Sequence, residues 1–256
     1  MLNKLFSGRV GFHNGIRISA GLNVFLLLLS FALMRTRLPP KPVHHFPIRQ
    51  WVFEQHEFTL ALATCLFTFF ALFFPVFYLQ LNAITHGVDR NIAFYSLSIL
   101  NACSVIGRLV PNAIAHKFGI SNLIVLFTFL TGAVTLTFPA VKNLEGTILF
   151  AIFWGFVSGA FIALVPAYIN IMSKDPSETG TRLGLFFGVG SIIGLFELSV
   201  LTPVRSSATP ITGALLTDNY HWLEPSLFSG ICFMIGGFLS LIGRNIIAKK
   251  RGTQLV

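Results

Sequence analysis

The chain has 256 residues, of which 54% are hydrophobic and only 11% charged, with 28 Phe and a mean hydropathy of +0.76. That excludes an ordinary soluble domain, in which about a quarter of residues are charged. The net charge of +9 belongs, in a chain this apolar, to loops and lipid headgroups rather than to nucleic acid, and the sequence reads as an all-α integral membrane protein.

A membrane crossing needs about 20 mostly apolar residues. In chain order the sequence supplies Ile16–Met34, Phe58–Leu81, Ile92–Ala115, Asn122–Val141 and Thr147–Met172. A sixth apolar run starts at Leu183 and is interrupted around Glu197 to Thr209, and Ser226–Gly243 is the seventh. The first run lacks a small-residue cleavage site and ends in Met34-Arg-Thr-Arg-Leu-Pro-Pro40, so it is expected to stay as an anchor. Cys65, Cys103 and Cys232 stand singly in apolar runs, which suggests neither a disulfide framework nor a zinc spacing.

Charge placement sets the topology. Alternate loops, starting after the first span, hold Arg35, Arg37, Lys41, Arg49, Lys117, Lys174, Arg182, Arg244, Lys249, Lys250 and Arg251. The opposite side holds Lys4, Arg9, Arg17, Arg90, Lys142 and Arg205. Eleven against six predicts an external N-terminus and a cytoplasmic C-terminus. The resulting partition is residues 1–34 as external N-terminus and first helix, 35–57 as a cytoplasmic linker, 58–243 as a bundle and 244–256 as a basic cytoplasmic tail. A long basic, proline-containing loop directly after the first span reads as a linker between that span and the following bundle.

Arg108 is the residue of greatest interest, because it sits inside an apolar run. A guanidinium in the bilayer costs at least about 3 kcal/mol, so a span keeps one where it faces water, a partner or an anion. It lies nine residues in from Lys117, about 13 Å at about 1.5 Å per residue, at the limit of snorkelling to the headgroups. Asn101 and Ser104, seven and four residues earlier, fall on the same helical side. They are read either as lining a path or as helix–helix hydrogen-bonding groups.

Asn101-Ala-Cys-Ser-Val-Ile-Gly-Arg-Leu-Val-Pro-Asn112 followed by Ala115-His-Lys-Phe-Gly119 resembles the eighth helix and following loop of fungal monocarboxylate-transporter-like carriers of the major facilitator superfamily. Three further stretches resemble that family in register. Arg17-Ile-Ser-Ala20 with Met34–Pro40 is similar to its sixth helix and exit, Pro176-Ser-Glu-Thr-Gly-Thr-Arg-Leu-Gly184 to its loop between helices ten and eleven, and Thr209-Pro-Ile-Thr-Gly-Ala214 to its eleventh helix. The resemblance implies the superfamily's C-terminal six-helix bundle plus one preceding transmembrane helix. It also implies a multi-pass carrier, expected in the plasma membrane, that moves a small organic anion, a monocarboxylate, with a proton by alternating access.

Arg108 matches the family's substrate-binding arginine, and a planar guanidinium grips a carboxylate through two parallel hydrogen bonds. Ser104 stands where animal members carry a proton-relaying aspartate, and a serine cannot relay charge in the same way. His116 replaces the aspartate of the superfamily's gating motif. The expected substrate-binding set is therefore Arg108, Ser104 and Asn101. The alternative is a truncated, transport-incompetent fragment of such a carrier that is inactive or acts only by pairing with other membrane proteins.

Phe196–Ala208 separates two pieces, Leu183–Leu195 and Thr209–Leu216, that together make one crossing, and reads as an insertion. Otherwise the sixth span runs Leu183 to Leu201, with Glu197 near the outer interface. The glycine spacings Gly155/Gly159 and Gly184/Gly188/Gly190/Gly194 predict close helix packing. Tyr78 and Tyr168 are expected in the interfacial aromatic belts, with a place in the cavity as the alternative. No reactive cluster, nucleotide loop or metal spacing is visible in the spans, so neither an enzyme nor a cofactor is expected.

Overall fold

The computed structural model describes residues 11–35, 48–173, 176–198 and 222–253. They fall into two compact units, residues 1–45 and 46–256. Among its described residues the first contains one helix, α1 (Gly11–Leu33), of 23 residues, about 35 Å at about 1.5 Å per residue and so long enough to cross a bilayer.

The second unit runs α2 (Ile48–Phe53), α3 (His56–Thr85), α4 (Arg90–Phe118), α5 (Ile120–Leu136), a short turn of 3-10 helix (Phe138–Ala140), α6 (Leu144–Met172), α7 (Pro176–Leu198) and α8 (Leu223–Arg251). Six of the described helices, α1, α3, α4, α5 with its 3-10 extension, α6 and α8, are long and apolar enough to span a membrane. All six coincide with predicted runs but extend past them at one end or both. The cause is visible at α4, where Asp89 accepts a hydrogen bond from the Asn91 amide at 2.9 Å, capping the helix a turn before its apolar stretch. At the other end Gly119, with φ +82°, breaks the helix and turns the chain straight into α5.

One expectation fails here. The stretch Pro176–Gly184 is predicted as loop, but it opens α7. Glu178 and Arg182 are one turn apart and paired at 2.9 Å, which suits a helix start and not a loop. Because that first part is polar, the apolar remainder of α7 is short of a full crossing. The linker 35–57 also contains a helix, α2, whose Trp51 is buried. Phe196, Glu197 and Leu198 of the suspected insertion continue α7, whereas 199–208 and the Thr209–Ala214 motif lie outside the described residues, as does most of the linker.

The second unit packs through small residues. A Cβ on Gly159 would stand 2.5 Å from the Ser104 carbonyl oxygen, and on Gly155 or Gly107 closer still to the carbonyls of Leu100 and Phe156. Backbone therefore lies on backbone along the α4–α6 seam, the arrangement that lipid-embedded helices reach when no side chain intervenes. The same device recurs where Gly132 and Gly230 admit Phe233 and Leu136 between α5 and α8. In the second glycine run, Gly190 is packed on the Phe69 ring, while Gly184 and Gly188 face open space.

Buried threonine hydroxyls find partners in two ways. On α5, Thr128, Thr131 and Thr135 each donate to the carbonyl four residues back, at 2.6–2.7 Å. Between α3 and α8, Thr64 Oγ1 donates to the Gly236 carbonyl at 3.3 Å and lies 3.2 Å from Ser240 Oγ. At one end of the unit an aromatic knot centres on Phe138, with Phe74, Phe150 and Trp222 at centroid distances of 4.9, 5.2 and 5.7 Å. Tyr78 lies 6.1 Å from Trp222 in this region and is buried, as is Tyr168 on α6. Both tyrosines are therefore interior residues and not belt residues: Tyr168 is seated against Gly243, where a Cβ would stand 3.0 Å from its hydroxyl oxygen, and Tyr78 against the rings of Phe74 and Trp222.

Candidate functional site

Helix α4 carries the candidate site, and its periodicity divides it into three sectors. At about 100° per residue, Ser96, Leu100, Ser104, Gly107 and Pro111 fall on one arc, and all are buried. Leu109, Ile106 and Val110 make an exposed apolar arc on the far side. Between the two, beside the seam, a narrow strip holds Asn101, Arg108 and Asn112, all exposed.

Sequence reasoning placed Asn101, Ser104 and Arg108 on one polar stripe. The structure keeps Asn101 and Arg108 together but turns Ser104 into the seam. Ser104 is 7% exposed, and its Oγ would lie 2.9 Å from a Cβ on Gly159. It rests behind the arginine rather than beside it, because its position is rotated toward the packed arc by about 40° from Arg108. Asn112, which the sequence reading quoted only as part of a motif, joins the strip instead. The signal for it was available: residues eleven apart on a helix, like those seven apart, return to nearly the same face.

Arg108 sits ten residues from the Phe118 end of α4, about 15 Å in at about 1.5 Å per residue. The two asparagines flanking it are fixed. Asn101 Nδ2 donates to the Leu97 carbonyl at 2.9 Å and Asn112 Nδ2 to that of Arg108 itself at 2.8 Å. A permanently charged group with an amide on either side is an expensive surface to give to lipid, and suits a water-filled path or an anion.

A second cluster lies at the basic end; the sequence offers its members only as topology-setting charges and, for Glu178 and Arg182, as part of the Pro176–Gly184 motif. The Arg182 side chain is fully buried. Its Nη1 donates to Gln55 Oε1 at 2.8 Å and its Nη2 to Glu178 Oε2 at 2.9 Å. The guanidinium also lies over the Trp51 ring at 4.5 Å and the Phe58 ring at 5.3 Å. Cation–π contact is strongest where water is excluded, as here. Beside it Lys250 Nζ bridges Glu57 at 2.7 Å, Arg251 donates to the Ile171 carbonyl and Arg244 Nε to Asn122 Oδ1. The starts of α3, α5 and α7 and the ends of α6 and α8 are thus joined at one end, as an up-and-down bundle with its cations on one side requires. The Lys250–Glu57 bridge is the weaker part, since the lysine is 58% exposed. Lys250→Ala is expected to lower stability by no more than about 1 kcal/mol, read as a small shift in the thermal unfolding midpoint in detergent.

Among the described residues no group of His, Cys, Asp and Glu is arranged to hold a metal ion. The fold and this charge-bearing strip define a multi-pass, all-helical protein with a membrane-transporter fold.

No protein-family model matches the chain. It is similar to curated fungal transporters over almost its whole length. It is 32% identical over 253 residues to the aspyridones efflux protein apdF of Emericella nidulans, covering 98% of this chain and 49% of the relative. It is 34% identical over 241 residues to MFS-type transporter 1 of an Ophiocordyceps species, covering 92% and 51%. With the agnestins efflux protein AgnL12 of Paecilomyces divaricatus it shares 31% identity over 251 residues, covering 95% and 53%. These relatives are major facilitator transporters and efflux proteins, so the superfamily resemblance holds at that level. The chain spans about half the length of the curated relatives it matches.

Proposed function

We propose that the chain is the C-terminal part of a fungal major facilitator carrier that exports organic anions, with Arg108 as the anion anchor. On this reading residues 1–34 hold the sixth helix, 35–57 the linker, 58–243 the C-terminal bundle and 244–256 the cytoplasmic tail. The observation that carries it is the exposed Arg108 strip in the middle of a span-length helix, in a chain similar to efflux proteins end to end. Asn101 lines the substrate path on the same strip as the arginine, and Ser104 supports the arginine from the seam. Proton coupling and a plasma-membrane site belong to the proposal, as does the monocarboxylate class, which the efflux names of the relatives widen to larger organic solutes.

Yeast cells expressing the chain and preloaded with the organic anion fluorescein provide the test. Arg108→Leu is expected to cut export at least tenfold at unchanged surface abundance, and Arg108→Lys to leave an intermediate rate, since lysine keeps the charge but loses the two-pronged grip. Export by Arg108→Leu at the unsubstituted rate overturns the anchor.

A second reading follows from the half-length match: the chain acts only when complementary helices cover the α4 face, because a carrier site at the midplane is built by two halves. It predicts export only on co-expression of the missing half, and export by this chain alone overturns it.

A further inference from the structure

We infer that the α4 strip takes an elongated amphipathic acid rather than a small monocarboxylate, with the carboxylate shared by Arg108 and Asn112 and a distal hydrogen-bonding group read by Asn101. This deepens the Arg108 reading and rests on it. The first support is length. Asn101 and Asn112 lie seven residues before and four after Arg108, so the hydrogen-bonding side chains are spread over about 16 Å, with about 10 Å on one side of the arginine and about 6 Å on the other. An acid of two or three carbons would engage one end of this strip and not reach the amide oxygen and remaining N–H of Asn101.

The second support is orientation. Each asparagine uses its amide NH2 on the carbonyl four residues back, at 2.9 and 2.8 Å. Only the nitrogen end can meet a carbonyl, so the amide oxygen and the remaining N–H are directed away from that bond. These groups are preset rather than floppy, which lowers the ordering cost of binding. Asn112 is bonded to the Arg108 carbonyl itself, one turn away, and its remaining N–H complements the guanidinium at a shared carboxylate.

The third support is the surface between. On the longer interval the exposed residue on the strip is Val105, so a ligand reaching from Arg108 to Asn101 crosses an apolar step. The matching chemistry is an acid group, an apolar stretch of about 10 Å and a terminal hydroxyl or carbonyl.

The test measures equilibrium binding of radiolabelled ω-hydroxydecanoate, decanoate and propionate to the full chain in nanodiscs, with empty nanodiscs subtracted and helicity checked for each variant. Expected is a preference of about tenfold for ω-hydroxydecanoate over decanoate, the effect of one well-placed hydrogen bond, with propionate weakest. Asn101→Ala should erase that preference by bringing ω-hydroxydecanoate down to the level of decanoate, Asn112→Ala should weaken both long acids alike, and Arg108→Leu should abolish all three. Binding that depends on Arg108 but shows no preference, or a preference that survives Asn101→Ala, overturns the elongated-acid inference and leaves the anchor standing. Binding indifferent to Arg108→Leu, or absent from a chain of full helicity, overturns the anchor and this inference with it.

Discussion

Gly155→Val is expected to lower the stability of the second unit by more than about 3 kcal/mol and to leave little correctly packed protein. Overpacking a core ordinarily costs about 1–3 kcal/mol because side chains and backbone give a little. Here the obstruction is a main-chain carbonyl, that of Leu100, and it cannot rotate away without breaking the hydrogen bonds of α4. The neighbouring contacts of Gly107 and Gly159 are equally close, so one added side chain must pry open the whole seam and displace the strip that carries Arg108. Against a typical total of about 5–15 kcal/mol that is a large fraction. The unfolding midpoint in detergent and the monodispersity of the purified protein measure it. Gly184→Ala is the control: a Cβ there meets nothing within 4 Å, so its midpoint should be unchanged or slightly raised, as expected for alanine in a helix. Equal midpoints for Gly155→Val and the unsubstituted chain would rule out backbone-on-backbone packing.

Arg182→Ala should cost about 3 kcal/mol, near the lower end of what breaking a buried ion pair costs. The lower end applies because Glu178, the partner left behind, is 19% exposed and water can reach it. Loss extends beyond the pair, since the same guanidinium holds Gln55 and covers Trp51. Helix α2 should therefore detach, and limited proteolysis within 35–57 should accelerate along with the drop in unfolding midpoint. Arg182→Lys keeps the charge but offers neither the fork nor the flat face over Trp51, so it should recover only part of the loss. Trp51→Ala removes the other half of the stack and should expose the linker to the same protease. An unchanged cleavage pattern in Arg182→Ala would mean that the arginine does not hold the linker helix.

The spans were legible because a run of about 20 apolar residues has no soluble alternative, and the tight seam was legible in Gly155 and Gly159. Less visible was anything decided by pairing across distance. Arg182 reads as one more loop cation until Gln55 and Trp51, more than a hundred residues away, are folded onto it, and this contact is what buries the start of α7. Ser104 shows the converse. Helical periodicity placed it near Arg108, but whether it meets a ligand or a neighbouring helix depends on Gly159, which the periodicity of α4 does not contain. The tyrosines failed for the same reason, since an aromatic belt and an interior cavity look alike along one helix. Asn112 was findable from spacing alone and was absorbed into a motif.

The threonines of α5 bear on how the chain enters the membrane during synthesis. Because Thr128, Thr131 and Thr135 donate hydrogen bonds to carbonyls of their own helix, α5 satisfies these three hydroxyls by itself when it leaves the translocon and is suited to sit in lipid before any neighbour exists. Helix α4, emerging just ahead of it with a guanidinium and two amides along one side, has no such independence. It is expected to remain at the translocon mouth until α6 arrives to seat against Leu100 and Ser104, so the helices of this unit commit to the bilayer in an order different from the one in which they are made.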